Sequence, residues 1–229
     1  MFKVSRANLS GLMLSAVSIF FSAHAFAYDR INVTEVSLVI QSNDLELKFP
    51  NTVDRTKAST VEVTWWQYFS ASLEGRLSIA YVELSQNTNS SVMAYDTSGY
   101  ELGIGFRGNI FESEIVNLGF GLNFDYLATS GETTAKEATE ISWYKYSGSI
   151  DAVFLPLNTI SILTGVSYTT IDGEHKVINT TNSLASFTED QPEGYYVGIS
   201  FKSGGNAKVN VTWHGGYRQG VYLVFSNHF

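Results

Sequence analysis

Residues 117–127, NLGFGLNFDYL, alternate without interruption. Leu118, Phe120, Leu122, Phe124 and Tyr126 fall on one side, and Asn117, Gly119, Gly121, Asn123 and Asp125 on the other. A period of two is the mark of a β-strand with one oily face and one polar face. In a soluble sheet the oily face is buried and the polar face meets water, whereas a membrane barrel reverses the two. Deciding between those arrangements decides what this chain can be.

About ten strand-like runs follow one another with no helical period: 33–41, 61–69, 76–84, 100–110, 116–127, 142–154, 160–170, 195–202, 208–214 and 220–229. The segment NDLELKF, residues 43–49, also alternates, and reads as an extension of the first strand, a loop strand or a rival for its place. Connections come in two alternating kinds. SASLEG, FESEI, LPLNT and SGGN are short, whereas 42–59, 85–98, 129–140 and 172–193 are long and polar; only the last connection on that side, GGYRQ, is short. Alternate connections of an up-and-down sheet fall at opposite ends, so one end is trimmed and the other elaborated. With an even strand count both termini lie at the trimmed end.

Aromatic residues sort with the connections. Tyr81, Tyr100, Tyr126, Tyr144, Tyr168, Tyr195 and Trp213 lie on the oily face at the loop-rich ends, and Phe69, Phe154, Phe201 and Phe229 at the trimmed ends. Two bands of rings are what the two interfaces of a membrane select, because rings with a polar tip are comfortable at headgroup depth. The first band, with Phe69, Phe154 and Phe201 of the second, is expected to be the aromatic girdle.

The opposite face mixes glycine with charge: Glu101, Gly103, Gly105 and Arg107 on one run, Gly119, Gly121 and Asp125 on the next. Lys145, Asp151, Lys202 and Lys208 join them, with Glu62 and Thr64 on the second run. Glycine makes room in a narrow interior and opposite charges pair across it, so Glu101, Arg107, Asp125, Lys145, Asp151, Lys202 and Lys208 are expected to form a lumen charge network. Around FESE, a register with pair sums of 226 would set Arg107 opposite Gly119 and Glu101 opposite Asp125, the two carboxylates binding a cation or receiving Lys145. Lipid offers no hydrogen bonds to an open edge, so such strands must close. The phenylalanines face out.

The amino terminus has Lys3 and Arg6, an apolar stretch from about residue 9 to 21, and small residues Ala23, Ala25 and Ala27. This pattern predicts a secretory signal peptide over 1–27 and one barrel domain over 28–229. Removing Lys3 and Arg6 takes the formal charge from -8 to -10, since 1–27 contains no Asp or Glu. An acidic balance argues against nucleic acid as a partner. There are no cysteines, hence no disulfides, and beyond the signal no apolar run approaches the length of a membrane helix.

These features together resemble the small outer-membrane β-barrel proteins of Gram-negative bacteria. The carboxyl end, GVYLVFSNHF, sharpens the likeness: Phe229 terminates the chain, with Phe225, Leu223 and Val221 on its face and Asn227 where the family usually has another apolar residue. The resemblance implies residence in the outer membrane and recognition of Phe229 by the barrel-assembly machinery. It also implies contact with outer-membrane lipid and lipopolysaccharide, and an extracellular ligand yet to be identified. The fold expected is a single antiparallel up-and-down transmembrane barrel of about ten strands, or eight if the first hairpin is misread, with short periplasmic turns and long extracellular loops.

His214 is the one mature histidine well inside a strand, and it faces inward. With Ser167 or Ser200 it makes a candidate base and nucleophile for lipid A modification. The lipid A deacylase family, however, has serine two residues after its histidine, and this chain has Gly216 there. Inward Trp66, Tyr68, Trp143, Tyr196 and Tyr222 leave space for a narrow channel or small-ligand carrier at most, because general porins need about sixteen strands. Glu189, Asp190 and Glu193 in the longest loop are candidate surface contacts. No cofactor and no metal site is expected. The chain therefore reads as a non-enzymatic barrel with a structural and surface-interaction role, with the narrow channel and then the enzyme as alternatives.

Overall fold

The computed structural model describes residues 33–70, 72–86, 94–155, 157, 159–178, 183–203 and 205–229. The signal segment falls outside them. Eleven strands follow in chain order: β1 (Val33–Phe49), β2 (Thr52–Ser70), β3 (Leu73–Gln86), β4 (Tyr95–Glu112), β5 (Val116–Thr133), β6 (Ala138–Phe154), β7 (Ile160–Ile178), β8 (Ser183–Glu189), β9 (Glu193–Lys202), β10 (Ala207–Gly216) and β11 (Arg218–His228). All pairings are antiparallel. β1 to β7 pair in sequence, β7 continues to β9, β10 and β11, and β11 returns to β1 from Glu35↔His228 to Leu45↔Arg218. The ring has ten strands and no free edge.

Large apolar side chains cover its outside. Leu77, Ile79, Leu102, Ile104, Phe106, Leu122, Ile150, Val166, Val197 and Ile199 are all exposed. A soluble protein rarely leaves more than a few hundred Å² of contiguous apolar surface bare, whereas this belt runs across successive strands and matches the lipid-facing band of a transmembrane barrel. At its outer edge Tyr126 packs on Tyr144 at 5.0 Å and Tyr195 on Trp213 at 5.7 Å. Tyr100 and Tyr168 are exposed at that level, while Tyr81 lies edge-on to Tyr100 and is buried. Phe69, Phe154, Phe201 and Phe229 are exposed at the trimmed end.

The long polar connections differ from expectation. The described residues of segments 42–59, 85–98, 129–140 and 172–193 are largely the continuation of the strands, and NDLELKF is the outer end of β1, paired along its length with β2. β8 leaves β7 through residues outside the described set and returns along it from Val177↔Ser183 to Asp172↔Thr188. It then meets β1 at Leu47↔Glu189 and Lys48↔Thr188. Along β1, therefore, β11 pairs up to Leu45 and β8 takes over from Leu47. Above the membrane the short β9, β10 and β11 have ended, and β1 to β8 make a second closed ring of eight strands.

The pleat runs through the boundary without a change of face, but the chemistry of the two faces swaps. On β6, Lys145, Ser147, Ser149 and Asp151 point inward below, and Ile141 and Trp143 above; Tyr144 and Tyr146 point outward below, Glu140 and Ser142 above. The upper ring encloses Leu45, Leu47, Phe49, Val82, Leu84, Tyr95, Leu127, Ile141, Trp143, Ile171 and Phe187, all buried. Phe187 meets Trp143 edge-on at 6.1 Å and Phe49 at 5.2 Å. Gly173 makes room for it: a methyl there would sit 2.4 Å from the ring. The lower tier is solvated as a membrane barrel and the upper as a water-soluble one.

Candidate functional site

Inward side chains of the lower tier form a continuous polar column. In its middle Lys145 Nζ lies 3.0 Å from both carboxylate oxygens of Glu101 and 3.1 Å from Asp125 Oδ2. Arg76 Nη1 donates to Asp125 Oδ1 at 2.9 Å and to Asn123 Oδ1 at 3.1 Å, and Arg76 also pairs with Glu62, which accepts from Thr64 Oγ1 at 2.9 Å. The chain Glu101, Lys145, Asp125, Arg76, Glu62 thus crosses the lumen with charges alternating in sign. Arg76 was missing from the sequence expectation, although its even position on β3 gave it the same inward facing as its neighbours Glu74 and Ser78.

The register between β4 and β5 also differs by two residues from the one considered. Pairs sum to 228, so Gly103, not Glu101, lies opposite Asp125, and Arg107 lies opposite Gly121. Gly103 has its purpose here, since an added Cβ would come within 2.2 Å of Asp125 Oδ1 and 2.5 Å of Ser78 Oγ. Glu101 and Asp125 are brought together only through Lys145.

Toward the trimmed end Arg107 donates to Glu35 Oε2 at 2.6 Å, pairs with Glu74 and lies 3.9 Å over the ring of Trp66. Asp151 accepts from the Tyr196 hydroxyl and from Ser149 Oγ. Lys202 and Lys208 are inward and directly opposite each other, but neither ammonium has a carboxylate within ion-pair distance among the described residues. Lys208 feels the field of Glu35 and Glu74 without a direct ion pair to either.

His214 is stacked between Tyr222, 3.8 Å away, and Tyr196, 5.0 Å away. Its Nε2 shares a hydrogen bond with Thr212 Oγ1 at 3.0 Å. In the strand register Ser167 lies opposite Gly194 and Ser200 opposite Asn210, and the hydrogen bond of the imidazole goes to Thr212. No group of three or more His, Cys, Asp or Glu able to hold a metal occurs among the described residues.

Glu189, Asp190 and Glu193 do not sit at the tip of a free loop. Glu189 accepts from the Ile171 amide, Asp190 N donates to Glu46 O at 3.0 Å, and Glu193 O accepts from Tyr217 N at 2.9 Å. They stitch the seam where the two tiers meet. The outermost polar surface is instead the outward face of the upper ring, where Arg55 pairs with Glu46 at 2.9 Å and Lys176 with Glu140 at 3.7 Å. Inside that ring His175 is buried, its Nε2 sharing a hydrogen bond of 2.8 Å with Thr139 Oγ1 and its ring edge-on to Tyr95. Burial pushes its pKa down to about 4.

A closed antiparallel ring, an apolar belt between aromatic edges and a polar lumen define an outer-membrane β-barrel protein, and the outer membrane is where this chain resides. No protein-family model and no curated protein matches it. Solved structures do. The β domain of the Bordetella autotransporter BrkA aligns over 86% of this chain and 99% of its own at 9% identity, with a TM-score of 0.51. The outer-membrane protein OprG of Pseudomonas aeruginosa aligns over 87% and 97% at 10% identity, TM-score 0.47. Neisserial surface protein A aligns over 85% and 97% at 9% identity, TM-score 0.44. At such identities the likeness is one of fold.

Proposed function

We propose that this protein is a non-conducting, non-enzymatic barrel whose work is done by its upper tier, a rigid eight-stranded platform held above the outer membrane for contact with an extracellular ligand. The observation that carries the reading is the buried apolar plug of Leu47, Phe49, Leu84, Leu127, Ile141, Trp143 and Phe187 across the upper ring. An eight-stranded ring is just filled by its own side chains, and apolar filling excludes hydrated ions as well as solutes. Rigid strands also present the outward charges Glu46, Arg55, Glu140 and Lys176 at fixed spacing, which a solvated loop would not.

Planar-bilayer recording on the refolded protein is the test. The expected result is no unitary conductance, together with trimming of the upper strands resisted when intact cells are treated with protease. Stable single-channel steps would overturn the reading in favour of a narrow channel.

A further inference from the structure

Below the ion-pair column lies a cavity of about 400 Å³, lined by ends of strands on both sides of the barrel and by residues of the short turns. Lys202 at the end of β9 and His228 at the end of β11 stand at its rim, so it opens toward the periplasm. Its carboxylates are already engaged: Glu35 and Glu74 by Arg107, Asp151 by Tyr196 and Ser149. Its donors on the β7, β9 and β10 side are not. Lys202 and Lys208 face each other across the strand pair with no counter-charge at ion-pair distance, an arrangement that is destabilising by itself. Between Ser161 on β7 and Asn210 on β10 sits Ser200, only 1% exposed and lining the cavity, whose Oγ has no hydrogen-bond partner.

We propose that this vestibule is a binding site for a small oxyanion, a phosphate or carboxylate group presented from the periplasm, held by the Lys202 and Lys208 ammonium groups with Ser200 donating a hydrogen bond. Ammonium groups only donate, and the orphan acceptor opposite Ser200, Asn210 Oδ1, is neutral, so what the wall lacks is an acceptor bearing negative charge. An anion between the two lysines would relieve their repulsion and satisfy the buried hydroxyl at once. The volume matches that of small-molecule pockets. The site is independent of the role of the upper tier.

Titration calorimetry of the refolded protein with inorganic phosphate, in chloride-free buffer of low ionic strength, tests it. Saturable binding of one phosphate is expected. Affinity should drop roughly tenfold or more in Lys202→Met and in Lys208→Met, and stay unchanged in Lys57→Met on the upper tier, tenfold being the loss of about one charge-assisted hydrogen bond. Lys202→Arg and Lys208→Arg keep the charge and should keep binding, which separates loss of the site from failure to fold. Displacement of phosphate by succinate would point to a carboxylate source, and failure to displace it to a phosphate source. Absence of saturable heat, or equal affinity in the wild type and both methionine variants, would overturn the proposal.

Discussion

Single residues in this barrel are governed by which of three environments they face. Phe120 is outward, between the two aromatic edges, and Phe120→Arg should cost about 2–4 kcal/mol in a denaturant folding titration in lipid. Asn123 looks replaceable from its alternation alone, yet its Oδ1 accepts from Arg76, so Asn123→Ser should cost about 1 kcal/mol in the same titration. Lys145 is the joint of the column. Lys145→Met leaves Glu101 without a counter-charge and Asp125 with Arg76 alone, and should destabilise by about 3–5 kcal/mol, part of which the double variant Lys145→Met with Glu101→Gln should restore. His175 obeys the third environment. Burial keeps it neutral, with its pKa in the folded state near 4 against 6.5 ordinarily, so its contribution is complete above about 6.5 and is lost as pH falls toward 4. Hydrogen exchange should therefore speed up in the upper strands between those values, and His175→Phe should flatten the dependence. An unchanged profile in the variant would assign the pH effect elsewhere.

At the scale of the element, β8 is the piece that makes the upper tier possible. It is seven residues long, pairs with β7 over six of them and with β1 over two, and contributes one large core side chain, Phe187. Phe187→Ala should cost about 3–5 kcal/mol, confined to the upper ring. The sign of this is a protein that still shows the heat-dependent gel shift of an intact barrel while protease now cuts between residues 172 and 193. β10 and β11 end at the opposite extreme, with a turn through Tyr217 that needs Gly216 at φ +86°, where an added Cβ would come within 2.2 Å of Glu193 O. That tight turn stops the hairpin below the seam and leaves the space that β8 fills.

The molecule as a whole is two barrels sharing seven strands, and the change from ten strands to eight does mechanical work. Diameter scales with strand number, so the ring narrows as it leaves the lipid and its interior passes from ion pairs to close-packed hydrocarbon. Alternation, glycine-rich inward runs such as 101–107 and the aromatic ends of strands made the membrane ring legible, and its ten strands are as expected. The upper ring was legible only in part. NDLELKF carried its signal openly, since Leu45, Leu47 and Phe49 alternate at the same parity as inward Ser37 and Gln41, but polar outward residues made the segments around it look like loops. Of the lumen site, the shared inward side of Glu101, Asp125 and Lys145 followed from facing alone, whereas their pairing needed the register, Arg76 was overlooked and the lack of an ion pair at Lys202 and Lys208 depends on side-chain reach.

What the sequence by itself determined was the period of two, the facing of each side chain and the two aromatic bands, and hence a closed sheet with its oily side outward. Those properties are local, because the pleat sends neighbours to opposite faces wherever the strand lies. The tertiary structure alone decided the register of β4 on β5, the point at which β11 yields β1 to β8, and the exchange of solvent that makes the same inward face polar below and apolar above. Each of these depends on pairing between strands far apart in the chain, and a two-residue slip leaves every facing intact while changing every partner.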